Sequence, residues 1–357
     1  MPTLEWIGKD KVVNHHLEVP YRVLEEQYTY NADRSDNMII RGDNLEALKA
    51  LLPRYEGKVK CIYIDPPYNT GNEGWVYNDN VNDPRIKKWL GEVVGKEGED
   101  LSRHDKWLCM MYPRLKLLHR LLAEEGVIFI SIDDTEFSYL RLICDEIFKN
   151  FAEAIVWQKR TSPDARKKLS SGHEYVLIYT KNPDQSLGLK LLPLEGKDAE
   201  AYTNPDSDPR GPWISSPFTA PGYRPNQMYP ITTPAGKTMM PPKGRCWCNI
   251  EEVYQRLLSE GRMWFGADGN GVPRRKTYLS EREGRGVWTW WTNSEVGYTQ
   301  IATQELAAIL GKAVFDYPKP IRLISRIIQM ASSDGDIILD SFAGSGTTAH
   351  AVLNMNK

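Results

Sequence analysis

Residues 1–36 are polar and aperiodic and read as an N-terminal arm. From residue 37 to 182 the apolar positions become ordered. Apolar runs at Val59–Ile64, Val127–Ile132, Ala154–Trp157 and Glu174–Thr180 alternate with stretches whose apolar residues recur every three or four positions. The runs predict buried strands, and the stretches predict helices with one apolar face. Leu45, Leu48, Leu51 and Leu52 share such a face behind Asp43, which is placed to cap the helix. Leu108, Met111, Leu115, Leu118 and Leu122 form a second face. Leu140, Ile143, Ile147 and Phe148 form a third, opened by Asp133 with Glu136. This alternation predicts an α/β sheet.

Two stretches break the pattern. Residues 72–104 are rich in Gly, Asn, Asp and Glu and carry no period, which predicts a functional loop or lid. Residues 183–314 are rich in Pro and Gly and hold Trp213, Trp247, Trp264, Trp288, Trp290 and Trp291. They predict a separate domain, with most of those rings in its own core. From Phe315 the α/β pattern resumes and runs to 357. Pro320 starts a helix carrying Leu323, Ile324, Ile327 and Ile328. Asp336–Asp340 then predicts a strand that leads through glycines into another helix.

Composition narrows the class. A length of 357 residues allows about two domains. No apolar run approaches the roughly 18 residues of a membrane helix, and the N-terminus lacks a signal-peptide core. Five scattered cysteines predict reduced thiols in a cytoplasm. Cys246-Trp247-Cys248 has no second pair at zinc-site spacing and reads as structural, so no metal is expected. A net charge of −2 confines any nucleic-acid contact to local patches. The candidates are Lys159, Arg160, Arg166, Lys167 and Lys168, and a shorter group of Arg274, Arg275 and Lys276.

The chemistry concentrates at two strand ends. Asp65-Pro66-Pro67-Tyr68-Asn69-Thr70-Gly71 follows the first strand directly. Two prolines cannot continue a ladder. The Pro66 carbonyl therefore sits in a stiff turn beside the Asp65 carboxylate and the Tyr68 ring. Two acceptors and a π-face suit a flat heterocycle carrying an exocyclic amine. At the second strand end, Asp340-Ser341-Phe342-Ala343-Gly344-Ser345-Gly346-Thr347-Thr348 reads as strand, glycine turn and helix N-terminus. Such a turn favours an anionic ligand group. It also fits a dinucleotide fingerprint. It is not a P-loop, because no Lys follows the second glycine.

Together, Asp-Pro-Pro-Tyr and Asp-x-Phe-x-Gly-x-Gly resemble the amino-methyltransferases of DNA. With Asp-Pro-Pro-Tyr first and the glycine motif last, the order resembles the β class of N6-adenine methyltransferases. Gly42–Leu48, Gly126–Asp134, Val156–Lys159, His173–Tyr179 and Tyr317-Pro318-Lys319-Pro320 fall in the family's order. Leu4–Lys9 and Asn204–Trp213 look like the modification subunits of type III restriction–modification systems.

The resemblance implies a Rossmann-like sheet in circularly permuted order, with residues 183–314 as an inserted target-recognition domain. It implies S-adenosylmethionine as cofactor and double-stranded DNA as substrate, with the target base flipped out of the helix. An ATP-dependent restriction subunit and a homodimer are the partners it suggests. It implies a further strand after the last helix, bearing an acid for the cofactor ribose, so the fold is expected to be short at its C-terminal end. Asp65, Pro66, Pro67 and Tyr68 are the expected catalytic residues. Asp340 and Phe342 to Thr348 are expected at the cofactor. So is Pro318-Lys319-Pro320, with Lys319 placed to pair with the methionine carboxylate. Asp43 and Asn44 match a motif near the cofactor pocket, although a plain helix cap accounts for them equally well.

Three rivals stand beside this reading. An N4-cytosine methyltransferase shares the amine chemistry, but Asp65 followed by Asn69-Thr70-Gly71 looks like the adenine enzymes. A nicotinamide oxidoreductase needs an acid about twenty residues past the glycine turn. A DNA-binding relic would bind DNA without cofactor.

Overall fold

The structure is a computed structural model, and it describes residues 3–31, 36–70, 103–182, 188–312 and 314–357, together with positions 88 and 92. Most of the expected 72–104 loop lies outside the described residues. Two compact units emerge, one from 1–190 and 288–357, the other from 191–287.

The first unit is built on a six-stranded mixed sheet. Its spatial order is Trp290–Trp291, Asn150–Gln158, His173–Thr180, Leu122–Ile132, Val59–Ile64 and Ile337–Leu339. Val59–Ile64 pairs in parallel with both neighbours, Ile62 lying opposite Leu339 and Ile128. His173–Thr180 runs antiparallel to both of its neighbours.

Alternation along the strands sends Ile62, Ile64, Ile128 and Ile130 into one core with Leu48, Leu52, Leu115, Leu118 and Ile143. The helices Asn44–Tyr55, Arg103–Leu121 and Phe137–Ile147 supply that face. The helix Ile321–Ala331 packs on Val59–Ile64 and Leu122–Ile132 and takes the opposite face. Its Leu323, Ile324, Ile327 and Ile328 are buried. Each such side chain contributes roughly 1.5–3 kcal/mol through burial.

Two boundaries differ from the sequence reading. Leu122 closes no helix but begins the central strand. Residues 288–314, expected in the inserted domain, fold with the sheet instead. Trp290 and Trp291 pair with Val156 and Trp157, which burial patterning over so short a strand does not reveal. Trp291 is buried, whereas Trp288 is 85% exposed.

The second unit, Leu191–Val287, holds three small antiparallel sheets and the helix Glu251–Ser259. Phe218, Tyr229, Trp247, Tyr254 and Phe265 form its core. Among the described residues, no helix is long and apolar enough to cross a membrane.

Candidate active site

The topology of the first sheet gathers charge along one edge. Asp65, Asp133, Lys159 and Asp340 each follow the last residue of a strand. The strands that deliver them end on the same side. His173–Thr180 runs the other way, so its start lies there, and Glu174 sits opposite Trp157. In open α/β sheets this is the edge at which ligands bind.

Asp65 is the centre of an alternating chain of charge. The Lys319 ammonium donates to both Asp65 oxygens at 2.8 Å and lies 3.5 Å from Glu174 Oε2. Lys159 Nζ donates to the other oxygen of Glu174 at 2.9 Å. The Tyr68 hydroxyl lies 2.8 Å from Asp65 Oδ1 and 3.1 Å from Glu174 Oε2, and its one proton serves one carboxylate at a time. The Lys319 ammonium also sits 5.0 Å from the Tyr68 ring centroid, a cation–π distance.

Burial pushes the Asp65 carboxyl above the usual range, Lys319 opposes that, and the neighbouring Glu174 adds to it. For Glu174 burial acts upward too, but Lys319 and Lys159 outweigh it and hold the carboxyl low. Lys319 stays charged: burial alone would depress it, and Asp65 and Glu174 more than compensate.

Neighbouring groups fix the turn that carries Asp65. Trp107 Nε1 donates to the Pro67 carbonyl at 2.7 Å. Asn69 is fully buried with φ +57°, a left-handed conformation that Asn tolerates. Its amide donates to Glu136 Oε1 at 2.5 Å and to the Arg103 carbonyl at 3.2 Å. Glu136 is also bonded to His104 Nδ1 at 2.7 Å, so it braces this turn rather than capping the helix after it.

The glycine turn follows the adjacent strand. Asp340 accepts from the Phe342 N–H at 2.9 Å and from Thr348 Oγ1 at 2.6 Å, locking turn to helix. Burial pushes its carboxyl up to about 6, against those two bonds. Gly344 has φ +52°, and a Cβ there would meet Phe315 at 3.1 Å. Gly346, at φ +78°, caps the helix Thr347–Met355, and a Cβ there would meet nothing within 4 Å. Ser341 Oγ is buried with no partner among the described residues. Open ground before a helix N-terminus, with a spare hydroxyl beside it, fits an anionic or polar ligand group. Thr347 Oγ1 donates to the Lys319 carbonyl at 3.2 Å, so the two motifs share a frame. Asn44 donates to the Ser341 carbonyl at 3.3 Å and accepts from Arg114 Nε at 2.6 Å. Asp43 caps its helix through the Leu45 and Glu46 N–H groups.

Several expectations change. Pro318-Lys319-Pro320 is buried beside the glycine turn, and the Lys319 ammonium is bound to both Asp65 oxygens. Lys159 is tied to Glu174 and is not part of a free basic surface. Lys276 is 4% exposed and bound to Asp206 and Asp208, so it cannot serve DNA as a surface cation. Arg274 is held by Ser215, whereas Arg166 pairs with Asp164 in its own loop and stays exposed. Arg160, Lys167, Lys168 and Arg275 remain exposed.

A cleft of about 600 Å³ opens where Lys159, Arg160, Tyr298, Thr299 and Phe315 meet, reaching from the Glu174 partner to the glycine-turn neighbour. The sequence reading quoted Glu174 only as part of a strand. The antiparallel direction that places its acid at this edge is set by long-range pairing, for which the local sequence carries no signal.

Comparison with known proteins matches the geometry. Residues 59–357 fit a family model described as DNA methylase. The chain is 35% identical to the Mod subunit of the type III restriction-modification enzyme StyLTI of Salmonella typhimurium, over 99% of this chain and 56% of that protein. It is 32% identical to the EcoP15I Mod subunit of Escherichia coli, over 99% of this chain and 62% of that protein. It is also 32% identical to the type II methyltransferase M.KpnI of Klebsiella pneumoniae, over 94% of this chain and 82% of that protein. The chain spans about three fifths of the length of the type III relatives. With Asp65–Tyr68 and the glycine turn on adjacent strand ends, and with the family model covering both, the chain belongs to the DNA methylase family.

Proposed function

We propose that the chain transfers a methyl group from S-adenosylmethionine to N6 of an adenine flipped out of double-stranded DNA. The observation that supports this most is the shared sheet edge. A buried, base-like carboxylate at Asp65 and a ligand-ready glycine turn at 340–348 leave adjacent parallel strands.

Adenine N6 is a weak nucleophile because its lone pair is delocalised into the ring. The Asp65 carboxylate accepts one N6 hydrogen and the Pro66 carbonyl accepts the other. That pulls the nitrogen towards tetrahedral geometry and aims its lone pair. Ser341 Oγ and the glycine turn before Thr347–Met355 would hold S-adenosylmethionine, which would supply an electrophilic methyl group on sulfur with the thioether as leaving group. The methylated nitrogen is cationic, and Asp65 takes its proton and passes it to water. Most of the rate enhancement comes from positioning, for which about 7–11 kcal/mol is available in principle, and from charge held at N6. Extruding the base costs a few kcal/mol. Stacking on the Tyr68 face turned away from Lys319 returns roughly 1–3 kcal/mol.

The residues around the glycine turn divide the work. Asp340, Thr348 and Asn44 fix the turn, while Ser341 Oγ and the N–H groups at the helix start face the cofactor. Residues 191–287 read the target sequence. Exposed Arg160, Lys167, Lys168 and Arg275 supply phosphate contacts, each sensitive to salt. Relatives named as Mod subunits suggest a restriction partner and modification of one defined site.

Expression in a methylation-free host followed by sequencing of modified bases tests the reading. N6-methyladenine within one recurring sequence supports it. N4-methylcytosine, or no modification with the protein folded and cofactor bound, overturns it.

A further inference from the structure

We infer that Glu174 is a positioning residue for methyl transfer: it competes with Asp65 for the Lys319 ammonium and so frees Asp65 to receive the amine of the target base. This rests on the proposed role of Asp65.

The geometry poses a problem that the inference solves. Lys319 donates to both oxygens of Asp65 at 2.8 Å, and Tyr68 reaches one of them as well. A carboxylate so engaged is a poor acceptor for a new N–H. Yet removing the ammonium altogether would leave two buried carboxylates side by side, which is costly. Glu174 offers a second seat. Its Oε2 lies 3.5 Å from Lys319 Nζ and 3.1 Å from the Tyr68 hydroxyl, so both donors can turn from Asp65 to Glu174 by small rotations. Lys159 fixes the far oxygen of Glu174 at 2.9 Å and keeps the carboxylate in place. When the N6 amine arrives, Asp65 exchanges Lys319 and Tyr68 for the incoming hydrogen, and no charge is stranded. No bond is made or broken in this exchange. The proton released on methylation goes to Asp65, and Lys319 returns towards it once that proton has passed to water.

The groups facing Asp65 are Lys319, Glu174 and Tyr68, with Tyr63 from its own strand and Asp340 from the next. Lys159 and Asp133 face Glu174 from neighbouring strand ends. Of these, Glu174 is the carboxylate that shares both Lys319 and Tyr68 with Asp65.

The test is the pH profile of kcat for Glu174→Gln and Glu174→Asp, with cofactor binding and melting measured alongside. Glu174→Gln removes the like charge and leaves Lys319 to Asp65 alone. The acid limb then moves to lower pH and kcat falls about tenfold to a hundredfold, the worth of a charge-assisted hydrogen bond. Cofactor affinity stays unchanged. Glu174→Asp keeps the charge and keeps the limb where it was. A merely structural role gives the reverse ranking, because Gln preserves the shape and Asp does not. Lys159→Met provides a second charge test should the Gln variant melt too early. It releases Glu174 to pull harder on Lys319, so the limb moves to higher pH. An unmoved limb in folded Glu174→Gln or Lys159→Met, or a Gln variant as active as wild type, overturns the inference. Asp65→Ala separates the two levels. If it retains activity, the functional reading fails; if it is inactive while Glu174→Gln is normal, only the role of Glu174 fails.

Discussion

Two buried lysines, Lys319 in the first unit and Lys276 in the second, keep nearly the same company. Each ammonium sits between two acids, near an aromatic ring, with a tyrosine hydroxyl on one of the acids. Both acids beside Lys276 are nonetheless held low, whereas of the two beside Lys319 Glu174 is held low and Asp65 is raised. Asp208 also takes the Arg210 guanidinium through both oxygens at 2.9 Å and the Arg210 N–H at 3.1 Å, and that surplus of donors holds it well below the usual range. Asp206 is held low too: burial acts upward, but Lys276 and Trp213 outweigh it. Asp65 is raised instead, by burial and by Glu174. A cluster rich in donors is finished and stabilises a fold. A cluster that shares its donors between two carboxylates has room for one more, and that is where substrate can enter.

Replacing each lysine by methionine breaks the comparison most sharply. Lys276→Met strands two acids in an otherwise saturated cluster. It should destabilise the second unit by about 3–5 kcal/mol, the cost of breaking a buried pair, read by urea unfolding. Lys319→Met removes the cation that opposes burial at Asp65. The Asp65 carboxyl then rises further, so methyl transfer at neutral pH drops about tenfold or more and recovers as the pH is raised. Unchanged activity at pH 7 would break the proposed asymmetry.

The tyrosines give a smaller contrast. Tyr68→Phe keeps the ring and removes the hydroxyl that moves between Asp65 and Glu174. It should lower kcat about tenfold at little cost in stability. Tyr278→Phe should cost about 0.5–1.5 kcal/mol of stability in the second unit, since it removes one buried hydrogen bond while Arg210 and Lys276 still serve Asp208.

The smallest effect is at Asp340. Its carboxyl sits at about 6 in the folded chain against an ordinary 3.8, so the folded state binds the proton more tightly. Its stabilising contribution is complete below about pH 4 and is lost as the pH rises through about 6. Asp340→Asn removes that dependence. Melting at pH 5 and pH 8 should differ by a few degrees less in the variant than in wild type.

The legible part of this protein was local. Val59–Ile64 reads as a doubly buried strand because nearly every position is apolar, and Asp65-Pro66-Pro67 ends it on chain stiffness alone. The glycine turn and the helix behind Asp43 follow from the same short-range rules. What the sequence hid was long-range pairing. Glu174 becomes part of the site only because its strand runs antiparallel, and Lys319 meets Asp65 across 254 residues. Lys159 and Lys276 looked like surface charge because a lysine's burial depends on acids that arrive from elsewhere in the chain. Trp290 and Trp291 lay in a stretch without period, and their two-residue strand is defined by its partner rather than by its own pattern.

The most direct test of the central claim follows a labelled methyl group from S-adenosylmethionine into DNA, comparing wild type with Asp65→Asn under conditions where both bind the cofactor. The account predicts label on adenine N6 with wild type and a loss of transfer in the variant, because an amide cannot accept the proton that N6 must shed. Label appearing at a comparable rate with Asp65→Asn would contradict it.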